Sequence, residues 1–302
     1  MPLRRSLLGV LVLAVLAASC GGADEPDATD DATEDATEEA AADTTEAAAG
    51  GECAVEDLPL FEEGTLTVAT GEPVFEPWMV DDDPTNGEGF ESALVYALAE
   101  EMGFAEDAVT WVRTGFDEAI APGEKDYDFN VQQYSITEDR DEVVDFSVGY
   151  YAVEQALVAA EDSPVAEATT VGDLADDRLG AAIGTTSLDY VDAVIDPEEP
   201  AQVYDDNAGA KAAFDAGQVD GLVFDLPTAY FITAVEIPDA SIVGVLPREG
   251  DDPEELGLLF EEGSELVSCV DAALQALLDD GTVEALEDEW LNQGGDIPTL
   301  EP

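Results

Sequence analysis

Acidic side chains outnumber basic ones 73 to 8 in this 302-residue chain, histidine is absent, and the formal net charge is −65. Ion pairing can neutralise few of those carboxylates, so self-repulsion opposes any compact state at low salt. An acid-rich, lysine-poor composition suits concentrated salt, where the screening length falls to about 3 Å at 1 M. The same charge excludes nucleic acid as a partner. The carboxylates are scattered, not spaced as a calcium loop, and Asp81-Asp82-Asp83 running into Pro84 and Asn86-Gly87 reads as a polar hairpin turn. Without histidine or a Cys-x-x-Cys pair no metal site is expected. Neither Gly-x-Gly-x-x-Gly, a P-loop nor Gly-x-Ser-x-Gly occurs, and no cofactor is expected.

The first twenty residues carry Arg4 and Arg5, an apolar run from Leu7 to Ala18, and then Ser19-Cys20-Gly21. This is the pattern of a signal peptide, too short to span a bilayer as a mature helix. Cysteine behind the small residues Ala17, Ala18 and Ser19 resembles a bacterial lipobox, with Ala17 where leucine or valine is more usual. The resemblance implies that residues 1–20 are a lipoprotein signal peptide with its lipobox, that Cys20 is lipidated and becomes the new N-terminus, and that the protein is extracytoplasmic and held to the cell membrane by its lipid. Ordinary secretion with cleavage elsewhere is the alternative. Residues 21–51 are almost entirely Ala, Asp, Glu, Thr and Gly, without leucine or an aromatic ring. They cannot bury enough surface to fold and are expected to be a disordered tether reaching about 30 Å. Cys53 and Cys269 are the remaining cysteines, and in an oxidising compartment they are expected to pair.

From Cys53 onward about 250 residues suffice for two lobes or one large domain. Leu66 to Thr70 reads as a strand. A helix follows Gly89, with Leu94, Leu98 and Met102 on one face. Val109 to Val112 reads as a strand and Phe116 to Ile120 as a short helix. Strand and helix then alternate through Leu179–Ile183, Leu188–Val194, Gln202–Tyr204, Ala208–Phe214, Val219–Phe224 and Pro227–Val235. Leu256–Phe260 is a further strand candidate, Glu265–Leu278 a helix broken by Gly281, and a last helix carries Leu286 and Trp290. This rhythm indicates an α/β fold.

Between Tyr134 and Ser147 a single arginine, Arg140, stands five residues after Ser135. A guanidinium offers a planar fork that fits a carboxylate, and serine adds a hydroxyl and an N–H. The residues alone leave a second reading open, a surface arginine paired with Glu138 or Asp141. The segment resembles the carboxylate-binding stretch of extracellular solute-binding proteins of family 3, amino-acid receptors of ABC importers. Further similarities follow in that family's order. They are Gly89-Phe90-Glu91 with its helical face, Gly184-Thr185-Thr186 after a strand, Val219 to Asp225 as a strand ending in an acid, and Asp280-Gly281-Thr282 before Trp290. Ser92 and Ala93 depart from the first of these signatures. The similarity covers Thr65 to Leu291.

Membership implies a two-lobed, type II periplasmic-binding-protein-like fold with two hinge crossings, near Tyr150–Glu154 and Val245–Glu249. The large lobe is then 60–151 plus 249–292, and the small lobe 152–248. It implies that Arg140 takes a ligand α-carboxylate with the N–H groups of Ser135 and Thr186, and that Asp225, the Ser135 hydroxyl and the Gln133 carbonyl meet the ammonium. Phe75 and Phe116 align with an aromatic pair flanking the ligand side chain, and Glu72 with an acid that contacts it in binders of basic amino acids. Asp225 could instead cap the helix starting at Pro227. Gln132 and Gln133 stand where small residues are usual, and no motif places Arg113 in the cleft. The expected function is a monomeric, non-enzymatic lipoprotein that captures an amino acid and delivers it to an ABC permease. The alternative is an enzyme on the same fold, a dehydratase or lytic transglycosylase, using Glu72 or Asp225 as acid or base.

Overall fold

A computed structural model describes residues 53–248, 250, 252–291, 295 and 297–302. The expected signal peptide, Cys20 and the tether through residue 51 lie outside the described residues. A first sheet is built from β1 (Leu66–Thr70), β2 (Val109–Arg113), β3 (Phe129–Asn130) and β4 (Val144–Phe146), and a second from β6 (Gln155–Ala160), β7 (Leu179–Ala182), β8 (Gln202–Tyr204), β9 (Gly221–Asp225) and β10 (Ala240–Val245). Between them β5 (Tyr151–Val153) pairs antiparallel with β11 (Glu254–Leu256), and β12 (Leu259–Glu261) completes the first sheet. The strand orders are β2-β1-β3-β12-β4 and β10-β6-β9-β7-β8. The arrangement is the expected α/β pair of lobes, with the β5–β11 ribbon as the connection.

Helices α1 (Phe90–Glu101), α2 (Phe116–Ile120) and α3 (Glu138–Asp141) belong to the large lobe, α4 (Thr186–Tyr190), α5 (Asn207–Asp215) and α6 (Leu226–Phe231) to the small lobe, and α7 (Val267–Asp279) and α8 (Thr282–Trp290) return to the large one. All five residues of β1 are buried, as expected of a parallel strand covered on both faces. Phe90, Leu94 and Leu98 of α1 pack in one cluster with Val270, Leu274 and Leu277 of α7. In the small lobe, Leu157 and Ala159 of β6 enter one cluster and Ala156 and Val158 another, the period of two that a doubly covered strand requires. Cys53 and Cys269 are bonded, with Cα atoms 5.5 Å apart, which ties the start of the described chain to α7.

Three expectations are revised. Leu256–Phe260 is not one strand, because Gly257 and Leu258 separate β11 in the ribbon from β12 in the large-lobe sheet. The Asp81–Gly87 stretch is no hairpin: Asp83 caps a single 3-10 turn, Pro84–Asn86. The return crossing lies at Glu254–Leu256, later than Val245–Glu249, since Val245 is still paired in β10. In addition, the chain end rejoins the small lobe. Leu300 N–H donates to the Val245 carbonyl at 2.9 Å, Val171 N–H to the Glu301 carbonyl at 2.8 Å, and the Leu300 side chain is buried in a small-lobe cluster.

Candidate functional site

Arg140 sits in α3, a helix of four residues whose cap is Thr137. It is 7% exposed and donates to two carbonyls, Ser135 in its own lobe at 2.6 Å and Gly184 in the other at 2.8 Å. Its guanidinium carbon is 5.5 Å from the centre of the Phe116 ring. Neither Glu138 nor Asp141 pairs with it among the described residues, which disposes of the surface ion-pair reading. Ser135 forms a non-hydrogen-bonded bridge with Leu256, the flanking bonds being Ile136 N–H to Glu255 and Gly257 N–H to Tyr134. Its own N–H and carbonyl therefore face away from Leu256. Thr186 opens α4 behind Thr185, whose hydroxyl oxygen accepts from Leu188 N–H at 3.2 Å.

Asp225 ends β9, beside α6, but its carboxylate makes no cap. It accepts instead from the Gln155 amide at 2.8 Å. Burial, and next the charge of Glu254, push its carboxyl up to about 7. Glu91, fully buried at the start of α1, accepts from Tyr150 hydroxyl at 2.5 Å, from Gln133 N–H at 2.8 Å and from the Gln133 side chain. Burial raises Glu91 to about 7, against the lowering effect of these three bonds. Two of them engage Gln133, which has φ 51°, a left-handed backbone that few non-glycine residues adopt. Both glutamine amides are thereby engaged, Gln133 on Glu91 and Gln132 as acceptor of the Tyr134 hydroxyl at 3.0 Å.

Glu72, Phe75, Phe116, Gln133, Ser135, Arg140, Thr186 and Asp225 all line one cavity of about 270 Å³ between the lobes. Thr114, Gly115, Asp205, Asp206 and Asn207 line it too. Phe116 stacks on Tyr134, ring centres 4.6 Å apart, which fixes the ring with one face against the large lobe. Arg113 is closer to the site than expected. It donates to the Gly71 carbonyl at 2.5 Å and the Asp82 carbonyl at 2.7 Å, pinning the loop that carries Glu72 and Phe75. Sequence reasoning missed Gln155 and Glu254, and found Glu91 only as part of a helix-start signature. Gln155 and Glu254 carry no local signal, since they meet only through pairing of β6 with β9 and of β5 with β11. Among the described residues no cluster suited to a metal ion occurs.

Two α/β lobes joined by a ribbon, with polar and charged groups from both lobes converging on a cavity between them, define a hinged receptor for a small polar ligand. Residues 66–293 match the model of the bacterial extracellular solute-binding proteins, family 3, and the chain belongs to that family. It is 25% identical over 239 residues to the L-cystine-binding protein TcyJ of Escherichia coli K12, covering 78% of this chain and 85% of the relative. It is 27% identical over 214 residues to ABC transporter arginine-binding protein 1 of the same organism, covering 68% and 82%. A solved structure of an ancestral arginine-binding protein bound to arginine is 28% identical, with a TM-score of 0.65, covering 76% of this chain and 99% of that one.

Proposed function

We propose that this protein captures an amino acid with a cationic side chain and passes it to an ABC permease. The observation that carries the reading is the charge of the cavity: Glu72, Asp205, Asp206 and Asp225 line it, against Arg140. An α-carboxylate satisfies the arginine and an α-ammonium one acid; a second positive charge on the ligand relieves the remaining acids, whereas an anionic side chain would add to their repulsion. Arginine-binding proteins are among the relatives the chain resembles, beside an L-cystine-binding one.

Arg140, with the Ser135 and Thr186 N–H groups, takes the carboxylate as a fork plus two donors. Asp225, the Ser135 hydroxyl and the Gln133 carbonyl take the ammonium. Phe75 offers a ring face to the side-chain cation, and Glu72 a counter-charge. Phe116 closes the carboxylate end against Tyr134. Ligand contacts from both lobes stabilise closure about the ribbon. Arg140 bonding Gly184 across the cleft is one such closed-state contact. The protein acts as a monomer outside the cytoplasm, tethered by a lipid on Cys20, without cofactor or chemistry. Unchanged membrane fractionation of Cys20→Ser would refute the anchor. An enzymatic role would use Asp225 or Glu72 as acid or base, and turnover of a candidate substrate without stoichiometric complex formation would favour it over capture.

A thermal-shift screen of the common amino acids in concentrated salt, followed by calorimetry, tests the proposal. Arginine or lysine should stabilise the protein and be recovered unaltered. Stabilisation by acidic or apolar amino acids alone, or by none, refutes it.

A further inference from the structure

Where the ribbon meets both lobes, side chains from four strands and loops converge behind the cavity. Glu254 opens β11, and its carboxylate accepts from the Ser135 hydroxyl at 2.6 Å. The same carboxylate lies 3.4 and 3.3 Å from the Gln155 amide nitrogen, at its two oxygens. Gln155 opens β6, lies opposite Asp225 in the sheet and is 6% exposed. The carboxylate oxygens of Asp225 and Glu254 face the NH2 of this amide, and the Ser187 hydroxyl donates to its oxygen at 2.6 Å. The orientation of the whole group thus follows from donor and acceptor counting.

The consequence falls on Ser135. A hydroxyl has one hydrogen and two lone pairs. With the hydrogen committed to Glu254, the Thr186 hydroxyl 3.4 Å away can only donate to Ser135, and one lone pair remains for the cavity. Ser135 therefore presents an acceptor, which suits an ammonium with its three donors and no acceptor. Glu254 also adds a negative charge beside Asp225, the group placed at the same ammonium.

We propose that Glu254 is a positioning residue that makes the site select ligands with a free α-ammonium, by holding the Ser135 hydroxyl as an acceptor and placing a second carboxylate behind Asp225. It rests on the amino-acid-binding reading above. Its place on the connecting ribbon, bonded to Ser135 of the large lobe and facing Gln155 of the small, lets ammonium recognition act on both lobes through one side chain.

The test compares L-arginine with its des-amino analogue 5-guanidinopentanoate in wild type, Glu254→Gln and, as a control, Glu255→Gln, whose exposed carboxylate lies one residue on. Glu254→Gln removes the second carboxylate and brings an N–H that can donate to Ser135 in place of accepting, and it should weaken L-arginine roughly tenfold to a hundredfold, the range for a hydrogen bond involving a charged group, and the analogue less than about threefold. Glu255→Gln should keep the wild-type ratio. Ser135→Ala removes the acceptor while leaving every residue of the ribbon unchanged and should collapse the ratio in the same way, so an unstable Glu254 variant does not end the test. The double variant should fall no further than either single one. A merely structural role would weaken both compounds alike. Equal loss for both, an unchanged ratio, or additive effects would each overturn the assignment while wild-type arginine binding stands. A wild type that binds no amino acid overturns the parent reading and this one together.

Discussion

Replacing Arg140 with alanine removes the cation that the cavity offers to a carboxylate, in a side chain that is 7% exposed and bonded to carbonyls of both lobes at 2.6 and 2.8 Å. Truncating one member of a desolvated charge pair costs about 2 to 5 kcal/mol, or roughly thirtyfold to several thousandfold in affinity. The lost bond to Gly184 across the cleft weakens the closed form as well, so the upper half of that range is expected. Arg140→Lys should also bind poorly, since an ammonium cannot reproduce the planar fork. The fold should persist, because α3 is short and the core clusters do not include Arg140. Calorimetry with L-arginine in concentrated salt measures the loss, and the unfolding midpoint checks the fold. Arg178→Ala is the control: its ion pair with Asp220 at 2.6 Å, with side chains 42% and 35% exposed, belongs to the small lobe and does not line the cavity. Arg113 is unsuitable, because it pins the loop bearing Glu72 and Phe75. If Arg140→Ala binds within about threefold of wild type, less than 1 kcal/mol, the carboxylate clamp is wrong.

Affinity should fall as pH drops below about 7, approaching tenfold per unit, because an ammonium must displace the proton that ligand-free Asp225 then holds. Glu254, Glu91 and Arg140 face that group along with Gln155, and a flat profile between about pH 5 and 8 would refute the contact. Ligand-free stability should change in the opposite sense. Glu91 rises from 4.5 to about 7 on folding, so the folded state holds more protons across that window and loses stability as pH rises through it. Asp225, raised from 3.8 to about 7, adds to the same slope, so Glu91→Gln should reduce it without abolishing it; an unchanged slope would clear Glu91 of the effect. Removing both cysteines frees a loop of sequence separation 216 and should cost about 5 kcal/mol by chain entropy, with an unaltered unfolding midpoint as the contrary result. Lowering salt from about 3 M to about 0.1 M should lower the midpoint, since screening weakens, and a constant midpoint would dispose of the high-salt reading.

Local physics made much of the fold legible. The helix pattern at Phe116–Ile120 and the strand pattern at Gln202–Tyr204 have the bounds of α2 and β8, and α1 begins where Gly89 announces it. Such elements are specified by side-chain periodicity within a few residues. Leu256–Phe260 was not, because two short apolar strands in different sheets leave the same trace as one longer strand. The separating Gly257 packs its backbone against Ile136, a neighbour 121 residues away in sequence that no local pattern could name. Motif order brought the eight candidate residues to one cavity, while two of their roles stayed open on residues alone. Asp225 could have capped α6 and Arg140 could have paired on the surface. Gln155 lying opposite Asp225, and the burial of Arg140 between two carbonyls, decided both. Composition determined that the chain is strongly acidic. Which polar groups face one another, and with which hydrogen, belongs to tertiary structure, because donors and acceptors such as Ser135, Gln155 and Glu254 acquire a direction only when distant strands fix the opposite partner.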